Sequence, residues 1–218
     1  MYVVLLGPPG VGKGTQGVFL TTRPDWTRIV TGDLLRDSVA SDSILGLEAE
    51  KYMIQGRLVP DELIVALVRD HLINRQSDAN LVFDGFPRTK LQASELTKML
   101  ELLGKSMDTV VVLEAEDQAL VERISGRRSC PDCKAIYNTH TSPPEKSGVC
   151  DNDDSVLIHR TDDDPETVAS RLEVYRSETE PVIRYYEEIG SRVCRVDGNK
   201  DICEVRTRIT QALALEKI

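Results

Sequence analysis

The chain has 218 residues, 40% of them hydrophobic and 29% charged, with a formal net charge of -9. That length supports one full core with one or two small insertions, and the composition is that of an ordinary globular enzyme rather than a disordered chain. The acidic balance argues against nonspecific nucleic-acid binding, which is held by excess Lys and Arg, so any anionic ligand must be met by a local cluster of cations.

No basic leader opens the chain and no apolar run approaches the roughly 20 residues needed to span a bilayer, which predicts a cytoplasmic protein without membrane contact. Tyr2 to Leu6 is an apolar run suited to a strand buried on both faces, and it stops at Gly7. In the following GPPGVGKGT, the glycines Gly7, Gly10, Gly12 and Gly14 let the backbone curl with successive N–H groups pointing inward. A helix opening near Lys13 adds its positive end, completing a cradle for phosphate. Gly7, Gly12 and Lys13 fit the P-loop spacing, with Lys13 as the charge for the β and γ phosphates and Thr15 as the nearest hydroxyl for magnesium. Gly14 stands where that pattern expects Ser or Thr.

Thr27 to Val30 reads as a short strand, and residues 33–59 as small helices with too little apolar surface to fold alone. Pro60, Asp61 and Glu62 open a helix with its acidic residues at the positive end. Asn80 to Phe83 is a second buried strand, followed by Asp84, Gly85, Phe86, Pro87 and Arg88. A helix from Lys90 to Leu103 ends at Gly104, Asp108 to Glu114 is a further strand, and Asp117 is expected to cap the next helix. From Gly126 to Asp163 small and polar residues dominate, which reads as an inserted module. Asp164 as cap and Pro165 as first residue then begin a long helix running to Glu188, before a strand at Arg192 to Val196 and a helix at Ile202 to Leu215. Strands alternating with helices predict an α/β fold whose parallel sheet is covered on both faces, with ligand sites at the carboxyl ends of the strands.

Asp84 ends an apolar strand, where P-loop proteins place a carboxylate that holds magnesium directly or through water. Arg36, Arg88, Arg123, Arg127, Arg160 and Arg171 lie at turns or near the mouth of the inserted module. Guanidinium groups present a planar fork to phosphate oxygens and keep their charge, as a reaction between two polyphosphates requires. Five cysteines are an odd number, and the inserted module holds Cys130 and Cys133, then Cys150 with Asp153 three residues later. Two such pairs can bend toward one tetrahedral metal, and a module under about 40 residues gains from a closed structural zinc what packing does not supply. Asp153 has the symmetric spacing for a fourth ligand, with Asp151, Asp154 and His140 as competitors and a redox CxxC as the rival reading. Cys194 and Cys203 read as small core residues.

These motifs together, GPPGVGKGTQ at Gly7 to Gln16, TGDLLR at Thr31 to Arg36, GRLVPDEL at Gly56 to Leu63, DGFPRT at Asp84 to Thr89 with Gln92, and RISGRR at Arg123 to Arg128, resemble adenylate kinase over nearly the whole chain. The inserted module is similar to the long bacterial lid that carries zinc on three cysteines and an aspartate. The resemblance implies a P-loop NTPase-type five-stranded parallel sheet, with a core of residues 1–30, 60–126 and 164–218, an AMP-binding insertion at 31–59 and a lid at 127–163. It also implies reversible, magnesium-dependent conversion of ATP and AMP to two ADP by a monomer. On this resemblance Gly10, Val11, Gly12, Lys13, Gly14 and Thr15 meet the ATP phosphates. Arg123 stacks on the ATP base, Arg127 meets its phosphates, Ile136 and Tyr137 cover it, and the carbonyl of Lys200 meets adenine. Thr31, Arg36, Arg57, Leu58, Val59, Gly85, Phe86, Pro87, Arg88 and Gln92 form the AMP site, with Gln92 at the adenine edge. Arg160 and Arg171 clamp the transferring group together with Lys13, Arg88 and Arg127. The segment Thr21 to Arg28 departs from the family run.

Rival readings are a UMP or CMP kinase, a GTP donor, and a zinc-ribbon regulatory protein that uses ATP as a switch. The long module and Thr89 weigh against the first. Ile202, where a guanine-reading NKxD pattern needs Asp, weighs against the second, and the acidic balance against the third.

Overall fold

The computed structural model describes residues 1–41, 43–73 and 79–215. Five parallel strands form the central sheet: β1 (Tyr2–Leu6), β2 (Trp26–Val30), β3 (Asn80–Asp84), β4 (Thr109–Glu114) and, counting the lid hairpin first, β7 (Val193–Asp197). Their order is β2-β3-β1-β4-β7, so the strand that feeds the phosphate loop lies at the centre. Leu5 pairs with Asp84 on one side of it and with Val111 on the other.

Alternate residues of the inner strands point to opposite faces and both faces are buried, which is why these strands are apolar throughout rather than alternating. Val4, Leu6, Leu81, Phe83, Val110 and Val112 pack one face. Val3, Leu5, Val82, Val111 and Leu113 pack the other. The helices that cover these faces are α1 (Lys13–Leu20), α4 (Asp61–Ile73), α5 (Lys90–Leu102), α6 (Asp117–Ser125), α7 (Pro165–Val174), α8 (Glu180–Glu188) and α9 (Ile202–Ala212). Between β2 and α4 the chain forms α2 (Thr31–Ala40) and α3 (Ile44–Ile54), the two short helices expected there. The lid region holds a two-stranded antiparallel hairpin of β5 (Arg127–Ser129) and β6 (Ile136–Asn138). Among the described residues no helix is long and apolar enough to cross a membrane.

The long helix from Pro165 runs to Glu188 as expected, with a π-helical turn at Tyr175–Thr179 joining α7 to α8. Pro181 carries no amide proton, so the regular hydrogen-bond ladder cannot run through it, and the helix widens just before that position. Asp117 does not cap α6; Glu116 holds the cap position, and Asp117 is the first helical residue, ion-paired with Arg176. Cys203 is exposed in the first turn of α9 and Cys194 is only half-buried, because β7 is an edge strand. Asp164 does cap α7 as expected, its side chain accepting from Glu166 N–H.

Candidate active site

The carboxyl ends of β1 and β3 open into a cavity of about 820 Å³, near the upper end of what small-molecule sites occupy. The phosphate loop forms its floor. Gly10 and Gly12 take φ of 81° and 102°, the left-handed region that strains any residue with a Cβ. Lys13 Nζ donates to the carbonyls of Gly7 at 2.6 Å and Pro8 at 2.8 Å. Burial pushes its ammonium down to about 7, against the attraction of Asp84 and with added repulsion from Arg88, Arg171 and Arg127. Val11, Gly14 and Thr15 line the same floor. Asp84 lies at its edge, 6% exposed, with Arg28 Nη1 3.5 Å from its Oδ2.

On the side facing α2 and α3, Thr31 donates its hydroxyl to the Gly85 carbonyl at 2.9 Å, and Asp33 holds the Arg36 guanidinium at 2.6 Å. Arg57, Leu58 and Val59 form the wall between α3 and α4. Arg88 is anchored by Nε to the Gly85 carbonyl at 2.8 Å. Its ionisation is lowered to about 10, first by burial and then by Arg171, which leaves it charged at neutral pH. Gln92 and Pro87 reach the cavity, but Phe86 does not: its side chain is fully buried in the core beneath.

The remaining arginines enter from the lid and α7. Asp163, whose side chain is fully buried, takes both Nε and Nη2 of Arg127, and Arg171 Nη1 lies 3.4 Å from Asp163 and 3.0 Å from Asp162. Burial works against the charge of Arg127, yet the Asp163 carboxylate outweighs it and raises its ionisation. For Asp162 burial is likewise outweighed, by Arg171 first, and its carboxyl is lowered. Arg160 donates Nε to Ser129 Oγ at 3.1 Å, and burial lowers it to about 10. Arg123 donates to the Gly198 carbonyl at 2.8 Å, beside Lys200 on the cavity wall. The lid lies over the phosphate loop. A Cβ on Gly14 would come 3.2 Å from Ile136 Cδ1, so the position that departs from the P-loop pattern is one that β6 approaches closely. Tyr137 lines the cavity next to Ile136, and Lys134 Nζ reaches Asp37 of α2 at 2.8 Å.

At the outer end of the lid, Cys130, Cys133, Cys150 and Asp153 bring their ligand atoms within 4.8 Å of one another, and the described cysteines are all free thiols. Cys130 Sγ lies 3.3 Å from Asp153 Oδ2 and Cys133 Sγ 3.4 Å from Cys150 Sγ. Sulfurs around a tetrahedral zinc at about 2.3 Å stand roughly 3.8 Å apart, a spacing that falls between the 3.4 Å of the Cys133–Cys150 pair and the 4.8 Å limit of the cluster, so small side-chain adjustments suffice to form a zinc cage. The Asp153 carboxyl is held well below its usual range, first by the Ser155 N–H and then by the thiols, so it is present as the anion that ligation needs. His140, Asp151 and Asp154 are not in the cluster. Thr15 and Asp84 offer the hard oxygen donors that suit magnesium.

All the candidate nucleotide-site residues except Phe86 thus line one cavity, while the four metal candidates form a separate cluster. Sequence reading missed the groups that hold them: Asp33, Asp162 and Asp163 as partners of arginines, and Arg28 beneath the loop. The acidic run TDDD directly after Arg160 was the available signal for two of these. Arg28 donates Nη1 to the Gly14 carbonyl at 2.9 Å, and a Cβ on Gly17 would come 2.7 Å from its Cδ.

The description of adenylate kinase as a family matches residues 5–191. The chain is 46% identical over 213 residues to an adenylate kinase from Caldanaerobacter subterraneus subsp. tengcongensis, covering 98% of this chain and 96% of that protein. It is 43% identical over 213 residues to an adenylate kinase from Syntrophomonas wolfei, with 98% and 99% covered. A third, from Caldicellulosiruptor bescii, is 43% identical over 216 residues, with 99% and 100% covered. With the central phosphate-loop strand, the two-sided cavity and these similarities in agreement, the chain belongs to the adenylate kinase family of nucleoside monophosphate phosphotransferases.

Proposed function

We propose that the protein transfers the γ-phosphoryl group of ATP reversibly to AMP, giving two ADP, and that it works as a cytoplasmic monomer. The observation that carries this reading is that one cavity has the phosphate loop on one side, Arg36, Arg88 and Gln92 on the other, and Arg127, Arg160 and Arg171 between them. Residues 31–59 act as the AMP-binding insertion and 127–163 as the lid, on a core of 1–30, 60–126 and 164–218.

An AMP phosphate oxygen is already a competent nucleophile near neutral pH, so the protein's work is alignment and charge neutralisation. Gly10 to Thr15 hold the donor phosphates through backbone N–H groups and Lys13. Arg123, Ile136, Tyr137 and Lys200 enclose the donor base. Thr31, Arg36, Arg57, Leu58, Val59, Gly85, Pro87, Arg88 and Gln92 hold the acceptor, with Phe86 anchoring that loop from below. The five cations Lys13, Arg88, Arg127, Arg160 and Arg171 stabilise charge that spreads over the transferring group in the transition state. The lid excludes water, the competing acceptor. Magnesium, when bound with ATP beside Thr15 and Asp84, would neutralise and orient the β and γ phosphates. Zinc on Cys130, Cys133, Cys150 and Asp153 would hold the lid's small fold together without contact with the reacting atoms.

Equilibrium dialysis with ADP tests the two-site reading. Two ADP bound per chain supports it, and a single ADP at saturation contradicts it.

A further inference from the structure

Gln92 is buried, 2% exposed, and its amide is gripped at both ends. Oε1 accepts from the Arg88 backbone N–H at 2.7 Å, and Nε2 donates to Asp61 Oδ1 at 2.7 Å. The other Asp61 oxygen accepts from the Thr89 hydroxyl at 2.8 Å, and that hydroxyl in turn accepts from the Gln92 backbone N–H at 3.2 Å. The two ends of a glutamine amide are similar in shape, so partners alone decide which is which. Here the partners leave one choice. A backbone N–H can only donate and a carboxylate can only accept, so a flipped amide would face a donor with a donor and an acceptor with an acceptor. Each of those buried mismatches costs roughly 1–3 kcal/mol.

The fixed amide keeps one oxygen lone pair and one N–H for a ligand. A 6-amino purine offers an N–H donor at its exocyclic nitrogen and an acceptor at N1, which complements that pair. A 6-oxo purine offers the reverse, an acceptor at O6 and a donor at N1, and it could be read only by the flipped amide. Asp61 itself does not line the cavity, so it acts on the base only through Gln92.

We propose that Asp61 is a positioning residue that sets base specificity at the acceptor site: by fixing the polarity of the Gln92 amide it selects a 6-amino over a 6-oxo purine monophosphate. This rests on the reading of Gln92 at the acceptor base. The isosteric Asp61→Asn variant can present a donor where the carboxylate could only accept, so it removes one of the two mismatches against the turned amide and leaves only the Arg88 N–H opposing it.

The test compares kcat/KM for AMP and for inosine monophosphate, which differ in this donor and acceptor pattern, in the wild type, Asp61→Asn and Gln92→Ala. The expected result is a fall in the AMP-to-IMP ratio of about tenfold or more in Asp61→Asn, expressed in KM for both substrates with kcat for AMP within about twofold. A merely structural role would lower kcat for both and leave the ratio alone. A ratio unchanged in Asp61→Asn but collapsed in Gln92→Ala overturns the role of Asp61 while the reading of Gln92 stands. A ratio unchanged in Gln92→Ala overturns both. If Asp61→Asn does not fold, the side-chain amide protons of Gln92 in the wild type decide the matter: one protected from solvent exchange supports the grip, and both exchanging at free-amide rates overturn it.

Discussion

Burial and three neighbouring arginines hold the Lys13 ammonium at about 7, so near neutral pH the free protein carries this group partly uncharged. A polyphosphate beside it favours the charged form and raises that value. Binding therefore takes up a proton, and affinity falls as pH rises from about 7 toward the raised value. Calorimetry of ATP binding at about pH 8, in buffers of different ionisation enthalpy, should register uptake of close to one proton. Lys13→Met should abolish that uptake, and uptake unchanged in the variant would place the effect on another group. Asp163 offers a second residue-scale consequence. It is the fully buried counter-charge of Arg127 and also lies beside Arg171. Asp163→Ala should cost about 3–5 kcal/mol of stability, because removing one partner leaves buried charge uncompensated. It should also lower kcat more than it raises KM for either nucleotide, since both arginines would then lack their fixed geometry. Denaturant melts and steady-state kinetics check the two halves separately.

Among the elements, the lid has the smallest core of its own: Cys130, Cys150 and Leu157, with Ala135 and Tyr137 packed against them. Such a module needs a cross-link, and the four-ligand cluster provides one when a metal occupies it. Tyr137 ties this cluster to the cavity, its hydroxyl accepting from Asp151 N–H at 2.9 Å and lying 3.5 Å from Cys150 Sγ. Chelation of a zinc-loaded sample should lower the melting temperature and expose the lid to protease first, while the phosphate loop keeps its ATP affinity within a few-fold. Turnover abolished with melting and proteolysis unchanged would show instead that the metal acts in the chemistry. Elements differ in how far the sequence announces them. The strands, the phosphate loop and the cap at Asp164 are legible because each depends on residues within a few positions of one another. The grip on Gln92 comes from Asp61, 31 positions away, and the partner of Arg127 lies 36 positions on. No local pattern encodes such pairs, because only the packing of α4 against α5, or of the two ends of the lid against each other, brings them together. The π-helical turn at Tyr175–Thr179 had a local sign in Pro181, but Pro is also tolerated early in a helix, which hid it.

At the scale of the whole molecule, the parallel sheet places every strand-end motif on one edge, with β1 between β3 and β4 so that the phosphate loop faces the centre of the cavity. Helices α2 and α3 and the lid then approach from opposite sides, joined by the Lys134 to Asp37 pair, while Ile136 of the lid lies over Gly14 of the phosphate loop. The exposed Lys134 to Asp37 contact is worth about 0.2–1 kcal/mol, so this pair alone holds the two sides together only weakly. A protein built this way should transfer the phosphoryl group to a second nucleotide and refuse water. The direct measurement is to follow ADP and free phosphate together after adding ATP and magnesium, with and without AMP. Two ADP formed per ATP consumed, with negligible phosphate and no turnover when AMP is omitted, is the predicted result. Phosphate release at a similar rate whether or not AMP is present would contradict it.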